Sequence, residues 1–224
     1  MSRLDRKRSL VGVIAAMAVV NLVYGITFPL LALVLDGQGV SKTLIGLSTM
    51  AQALAVIVIA PWAPELLRLV PPSRLMQAVT VVLAGLFIVA GLFPNVWFWF
   101  PLRFVIGALT ALLWISSEAL INDLAEEQWR GRIIGLYASV GAAGFALGPL
   151  LLILTGSAGL LPFIATSSLI LCAGIPLFIV HHRRMPRHEQ QHGGMWKVFW
   201  LAPAVMLAGA NAWMNCDMPG ITRK

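Results

Sequence analysis

The sequence predicts an all-α polytopic membrane protein that crosses the bilayer about six times, and three observations carry that prediction. Hydrophobic residues make up 59% of the 224-residue chain and charged residues only 11%, with a mean hydropathy of +0.86. A soluble domain spends about a quarter of its residues on charge to wet its surface, so lipid is the expected solvent here. Six apolar runs, about 10–35, 44–64, 75–93, 97–122, 133–155 and 160–180, approach or exceed the roughly 20 residues a helix needs to cross about 30 Å of hydrocarbon. Finally, the formal net charge of +7 is concentrated in every second connection between the runs. That is the signature of membrane topology and not of nucleic-acid binding, so no nucleic-acid partner is expected.

The first run follows the basic cluster Arg3, Arg6, Lys7, Arg8. It is far longer than the roughly 7–15 apolar residues of a secretory signal, so it reads as a spanning helix that is retained. Asn21, Tyr24, Gly25 and Phe28 fall on one face of it, and Pro29 permits a kink. The turn Asp36-Gly37-Gln38-Gly39 leads to the second run, which carries Ser48 and Gln52 four residues apart. Such groups within a span either hydrogen-bond between helices or face a polar cavity. Pro94-Asn95 separates the third and fourth runs, and Gly156-Ser157-Ala158-Gly159 the fifth and sixth. Connections this short place consecutive helices side by side.

With the N-terminus inside, the cytoplasmic segments hold twelve lysines and arginines, including Arg68, Arg74, Arg130 and Arg132, against Lys42 alone outside. The expected location is therefore the plasma or inner membrane, with a cytoplasmic N-terminus.

Chemistry concentrates in the fourth run. An ionisable side chain near mid-membrane costs at least ~2.5–3.5 kcal/mol, so Arg103 and Glu118 each require a reason. Fifteen residues separate them, about 22 Å along a helix and roughly 60° around it, too far to pair. Between them Gly107, Thr110, Trp114 and Ser117 recur at helical spacing, and Asn122 follows. Such a polar, small and aromatic face needs a water-filled cavity or a polar partner. The structural alternative is that Arg103 snorkels to the outer interface and Glu118 pairs with a loop arginine such as Arg130. In the fifth run Tyr137, Gly141, Gly144 and Gly148, followed by Pro149, form a small-residue face suited to close helix packing.

Several other readings fail. Gly46-Leu47-Ser48-Thr49 loosely resembles the serine motif of intramembrane proteases, but no histidine lies in a span to act as base, and no enzyme is expected. His181, His182, His188 and His192 are interleaved with Arg183, Arg184 and Arg187, which repel a cation. No metal, no cofactor and no disulfide from Cys172 and Cys216 is expected. After the basic segment 181–197, the apolar stretch from Val198 to Trp213 rises only about 24 Å as a helix and then runs into a polar tail. It reads as a seventh helix that is begun and not finished.

Two motifs then suggest a family. Arg103-Phe104-Val105-Ile106-Gly107 resembles the R-x-x-x-G motif of major facilitator superfamily transporters, and Gly144-Phe145-Ala146-Leu147-Gly148-Pro149 is similar to that family's G-x-x-x-G-P motif. Arg130-Gly131-Arg132 sits in a loop where the family often has basic residues and glycine. The signature G-x-x-x-D-R-x-G-R-K is barely visible at 63–74, where Arg68, Arg74 and Glu65 remain and both glycines are absent. The resemblance implies two inverted three-helix repeats over 1–180, a central cytoplasmic loop over 181–197 and an incomplete seventh helix with a polar tail over 198–224. It also implies secondary active transport of a small solute by alternating access. Arg103, Glu118, Trp114, Asn21, Tyr24 and Gln52 would line the substrate or proton pathway, with Glu118 the candidate proton site. Arg103 would bind an anionic group or relay protonation. The family usually has twelve helices, so the other wall of the site would come from a second copy or a separate C-terminal half. The alternative is an inert six-helix scaffold.

Overall fold

The computed structural model describes residues 3–156 and 159–180, which form helices and turns without a strand. Helix α1 runs Arg3–Gly37, α2 Lys42–Ile59, α3 Ala63–Leu69, α4 Pro72–Leu92 and α5 Val96–Leu124. A 3-10 turn, Glu127–Trp129, leads into α6, Arg130–Thr155, and α7, Leu161–Gly174, tightens into a 3-10 segment at Ile175–Ile179. Six of these stretches are long and apolar enough to cross a membrane, the expected number. The basic segment 181–197, its histidines and the expected incomplete seventh helix over 198–224 lie outside the described residues.

Local chemistry sets the boundaries. Ser41 Oγ accepts the amide of Leu44 at 3.4 Å to cap α2, and Asn95 Oδ1 accepts that of Trp97 at 2.9 Å to cap α5. Prolines open α4 and α7, where the missing N–H costs no helical bond. After α1 the chain reverses at Gly39, whose φ of +74° is left-handed and whose amide is bonded to the Asp36 carbonyl at 2.9 Å. The second span ends at Ile59, five residues short of the expected boundary at 64. Pro61 and Pro64 account for this: neither can donate a helical hydrogen bond, so the chain turns at 60–62 and restarts as the short α3. In α3, Arg68 and Glu65 form an exposed ion pair at 3.2 Å.

The packing has an internal symmetry. The most extensive pairs are α1 with α6, α2 with α5, and α4 with α7; α4 also packs on α5, and α1 on α7. Exchange the first three spans (α1, α2, α4) for the last three (α5, α6, α7). The α1–α6 pair becomes α5–α2, α1–α7 becomes α5–α4, and α4–α7 maps on itself. Each unit has an odd number of spans, so the second crosses the membrane upside down relative to the first. This is a pair of inverted three-helix repeats. Among the spans α5 is the most buried, while α2 and α6 leave most of their surface uncovered.

Glycines decide how closely α1 and α6 approach. On α6 Gly141, Gly144 and Gly148 are buried although the rest of the helix is mostly exposed. A Cβ at Gly148 would lie 2.6 Å from the Gly25 Cα, and one at Gly144 2.5 Å from the Ala18 carbonyl oxygen. No side chain fits there, so the small-residue face is a backbone contact. Pro149, beside it, is exposed on α6.

Candidate functional site

Arg103 sits in the second turn of α5 and is only 2% exposed. Its Nη1 donates to Thr49 Oγ1 of α2 at 2.7 Å, and its guanidinium carbon lies 6.0 Å from the centre of the Trp99 ring. Nε and Nη2 are buried and have no hydrogen-bond partner among the described residues. Arg103 therefore does not snorkel to the surface but reaches between two helices. One turn further on, any side chain at Gly107 would collide with the Gln52 backbone carbonyl, so this glycine lets α2 lie against α5.

That close approach assembles a belt near the middle of the spans. Gln52 Nε2 donates to the Tyr24 hydroxyl at 3.1 Å, joining α2 to α1. The Tyr24 ring meets Trp114 of α5 edge-on at 5.3 Å and Phe28 at 4.8 Å, and Phe28 meets Phe145 of α6 at 6.4 Å. Four helices thus contribute to one aromatic surface with polar tips. The cavity beneath it, between Tyr24, Thr27, Ile106 and Thr110, has a volume of only about 20 Å³. The belt is a wall and not an enclosed pocket.

The polar stripe of α5 divides. Arg103, Gly107, Thr110 and Ser117 are buried, Trp114 is half-buried, and Glu118 and Asn122 are exposed on the bundle surface. Ser117 Oγ and the Tyr137 hydroxyl hydrogen-bond at 3.0 Å, tying α5 to α6. Glu118 lies in the neighbourhood of the Tyr137 phenol. The ion pairs among the described residues are Arg6–Glu126 and Arg68–Glu65, so Glu118 is not paired with Arg130. Asn21 donates to the Met17 carbonyl of its own helix at 2.8 Å. That amide lies beside Gly141 of α6.

Two participants escaped the sequence reading. Ser48, singled out there, donates to the Ile45 carbonyl at 2.8 Å, whereas its neighbour Thr49 meets Arg103. Thr49 and Gln52 are three residues apart and so share a helix face, which is the signal that could have found Thr49. Phe145 lies inside the glycine motif and was read only as part of it.

Taken together, six apolar spans packed as inverted repeats, with a buried arginine and an aromatic surface near mid-span, define a polytopic membrane protein. A profile of the Major Facilitator Superfamily matches residues 13–217, and the chain belongs to that family. It is 26% identical over 197 residues to the uncharacterized MFS-type transporter YfkF of Bacillus subtilis, covering 85% of this chain and 48% of that protein. It is 28% identical over 112 residues to the staphylopine export protein of Staphylococcus aureus, covering 50% of this chain and 28% of that protein. The chain thus spans about half the length of the first relative. These relatives support membrane transport of a solute, not catalysis, as the family's work.

Proposed function

We propose that this bundle forms one wall of a secondary transporter that moves a small solute by alternating access, with its N-terminus in the cytoplasm. The observation that carries the reading is Arg103: a buried guanidinium whose one hydrogen bond among the described residues goes to a neutral hydroxyl. A cation held this way within a span is costly, and such residues mark substrate or ion pathways. Arg103 engages an anionic group of the solute or senses its arrival, and the belt of Tyr24, Gln52 and Trp114 holds the solute's body. Glu118 takes up a coupling proton. In alternating access one bundle rocks against another around a site at their interface. The opposite wall is a second six-helix bundle, whether another copy of this chain or a C-terminal half.

The test is reconstitution. The purified full chain is first screened against solutes by thermal stabilisation, and its mass is measured. Hits are then assayed for uptake in proteoliposomes. A hit should stabilise the wild-type chain, and Arg103→Ala should weaken that binding roughly 10- to 100-fold, the worth of a charge-assisted hydrogen bond. Membrane insertion should be unaffected. Saturable uptake by a strictly monomeric chain would overturn the one-wall reading, and solute binding that survives Arg103→Ala would reduce Arg103 to a packing role.

A further inference from the structure

At the end of the bundle that carries the N-terminus of α1, the chain leaves a cavity of about 480 Å³. Arg6 and Lys7 of α1 form one side, and Glu126, Trp129 and Arg132, from the α5–α6 connection and the start of α6, form the other. The volume falls in the range of small-molecule sites. It plays no part in the transport reading, being at the far end of α1 from Tyr24.

The charges do not balance. Three cations line the cavity against one carboxylate, and that carboxylate is already engaged, with Arg6 Nη1 3.2 Å from Glu126 Oε1. Lys7 and Arg132 take part in no ion pair among the described residues. Arg132 instead lies over the Trp129 ring, 5.8 Å from its centre, which fixes the guanidinium at the rim. Arg132 also falls in the first turn of α6, where Glu126 and Glu127 of the preceding turn face the positive pole of the helix.

The floor is apolar: Leu10, Leu124 and Ile133. Leu10 begins the first hydrophobic run, three residues beyond Lys7, and Ile133 follows Arg132 directly. The cavity therefore straddles the boundary between hydrocarbon and water, where a tryptophan such as Trp129 is at home. A ligand that fits both parts needs a compact anionic head and an apolar body. We propose that the cavity binds the phosphate of an anionic phospholipid, with Lys7 and Arg132 as its ligands and the lipid's glycerol and upper acyl carbons on the leucine and isoleucine floor. A soluble phosphate ester offers the same head but leaves that floor bare.

The full chain, purified in a neutral detergent, is titrated with phosphatidylglycerol, phosphatidylcholine or glycerol 3-phosphate, and bound molecules are counted by native mass spectrometry. Phosphatidylglycerol should be retained in preference to phosphatidylcholine. In Lys7→Gln/Arg132→Gln its retention should fall roughly 20- to 30-fold, from the loss of two cations near the membrane surface. Arg68→Gln/Arg74→Gln removes the same charge from the α3–α4 region and should change nothing. If the first double variant does not yield folded protein, Lys7→Gln alone, an exposed position, should still weaken retention about five-fold. Equal retention of both lipids, or an equal loss in the Arg68/Arg74 control, overturns the site. Binding of glycerol 3-phosphate without retention of phosphatidylglycerol overturns the lipid assignment.

Discussion

Arg103 and Glu118 look alike in the sequence, two charges on one apolar helix, yet they occupy opposite environments. Arg103 is enclosed between α2 and α5 with donors to spare, and Glu118 stands on the bundle surface. A guanidinium offers five N–H donors in a planar fork, so lysine, with a point charge, does not replace it at a site that uses several. Arg103→Lys should therefore share most of the Arg103→Ala defect. Glu118, the proposed proton site, has no ion-pair partner among the described residues. Glu118→Gln keeps the shape and removes the titrating group. In a transport-competent assembly it should flatten the dependence of uptake on pH while leaving solute binding within about two-fold, since a surface substitution of this kind rarely moves a free energy by more than about 0.5 kcal/mol. Unchanged pH dependence at normal rate would assign Glu118 to contact with the opposite wall.

At the scale of elements, the α1–α6 crossing is where one methyl group should matter most. Gly25, Gly144 and Gly148 bring two backbones into contact, and the atoms a Cβ would strike are main-chain atoms that cannot rotate away. Gly148→Val should destabilise the bundle by about 3 kcal/mol, the upper range for overpacking. Gly135, on the same helix, has open space around it. Gly135→Ala should be neutral or stabilise by up to about 1 kcal/mol, since alanine is the better helix former. Thermal unfolding of both variants in one detergent checks the pair. Equal melting temperatures would mean that α1 and α6 are not held at this distance. The α2 boundary makes the related point about proline, because the apolar run continues to residue 64 while Pro61 ends the helix at Ile59.

For the whole molecule, the inverted repeat and the distribution of basic residues make one joint prediction about sidedness. Consecutive connections alternate, so Gln38 is expected outside, and Lys7 and Gln128 inside. Single cysteines at these positions, with Cys172 and Cys216 replaced by serine, should separate cleanly. A membrane-impermeant reagent added to intact cells should label position 38 and leave 7 and 128 unmodified until the membrane is opened. Labelling of position 128 from outside would reverse the orientation and place the phosphate cavity on the opposite face. The unequal burial of the spans belongs to this scale as well. The uncovered surfaces of α2 and α6 are the faces that the proposed second wall would cover.

The sequence by itself determined the solvent and the number of spans, because these follow from one-dimensional quantities such as run length against bilayer thickness, and charge counted in alternate loops adds an expectation of sidedness. It also determined the glycine face of α6, because helical periodicity alone puts Gly141, Gly144 and Gly148 together. Only the tertiary structure decided which face met which helix. Periodicity placed Arg103 and Glu118 about 60° apart, but that angle cannot say whether a neighbour covers one and not the other. The α2 helix, drawn in by Gly107, covers Arg103 and supplies Thr49, and no described helix covers Glu118. The cavity between Lys7 and Arg132 was likewise beyond the sequence, since its two sides lie more than a hundred residues apart and meet only because α1 packs along α6.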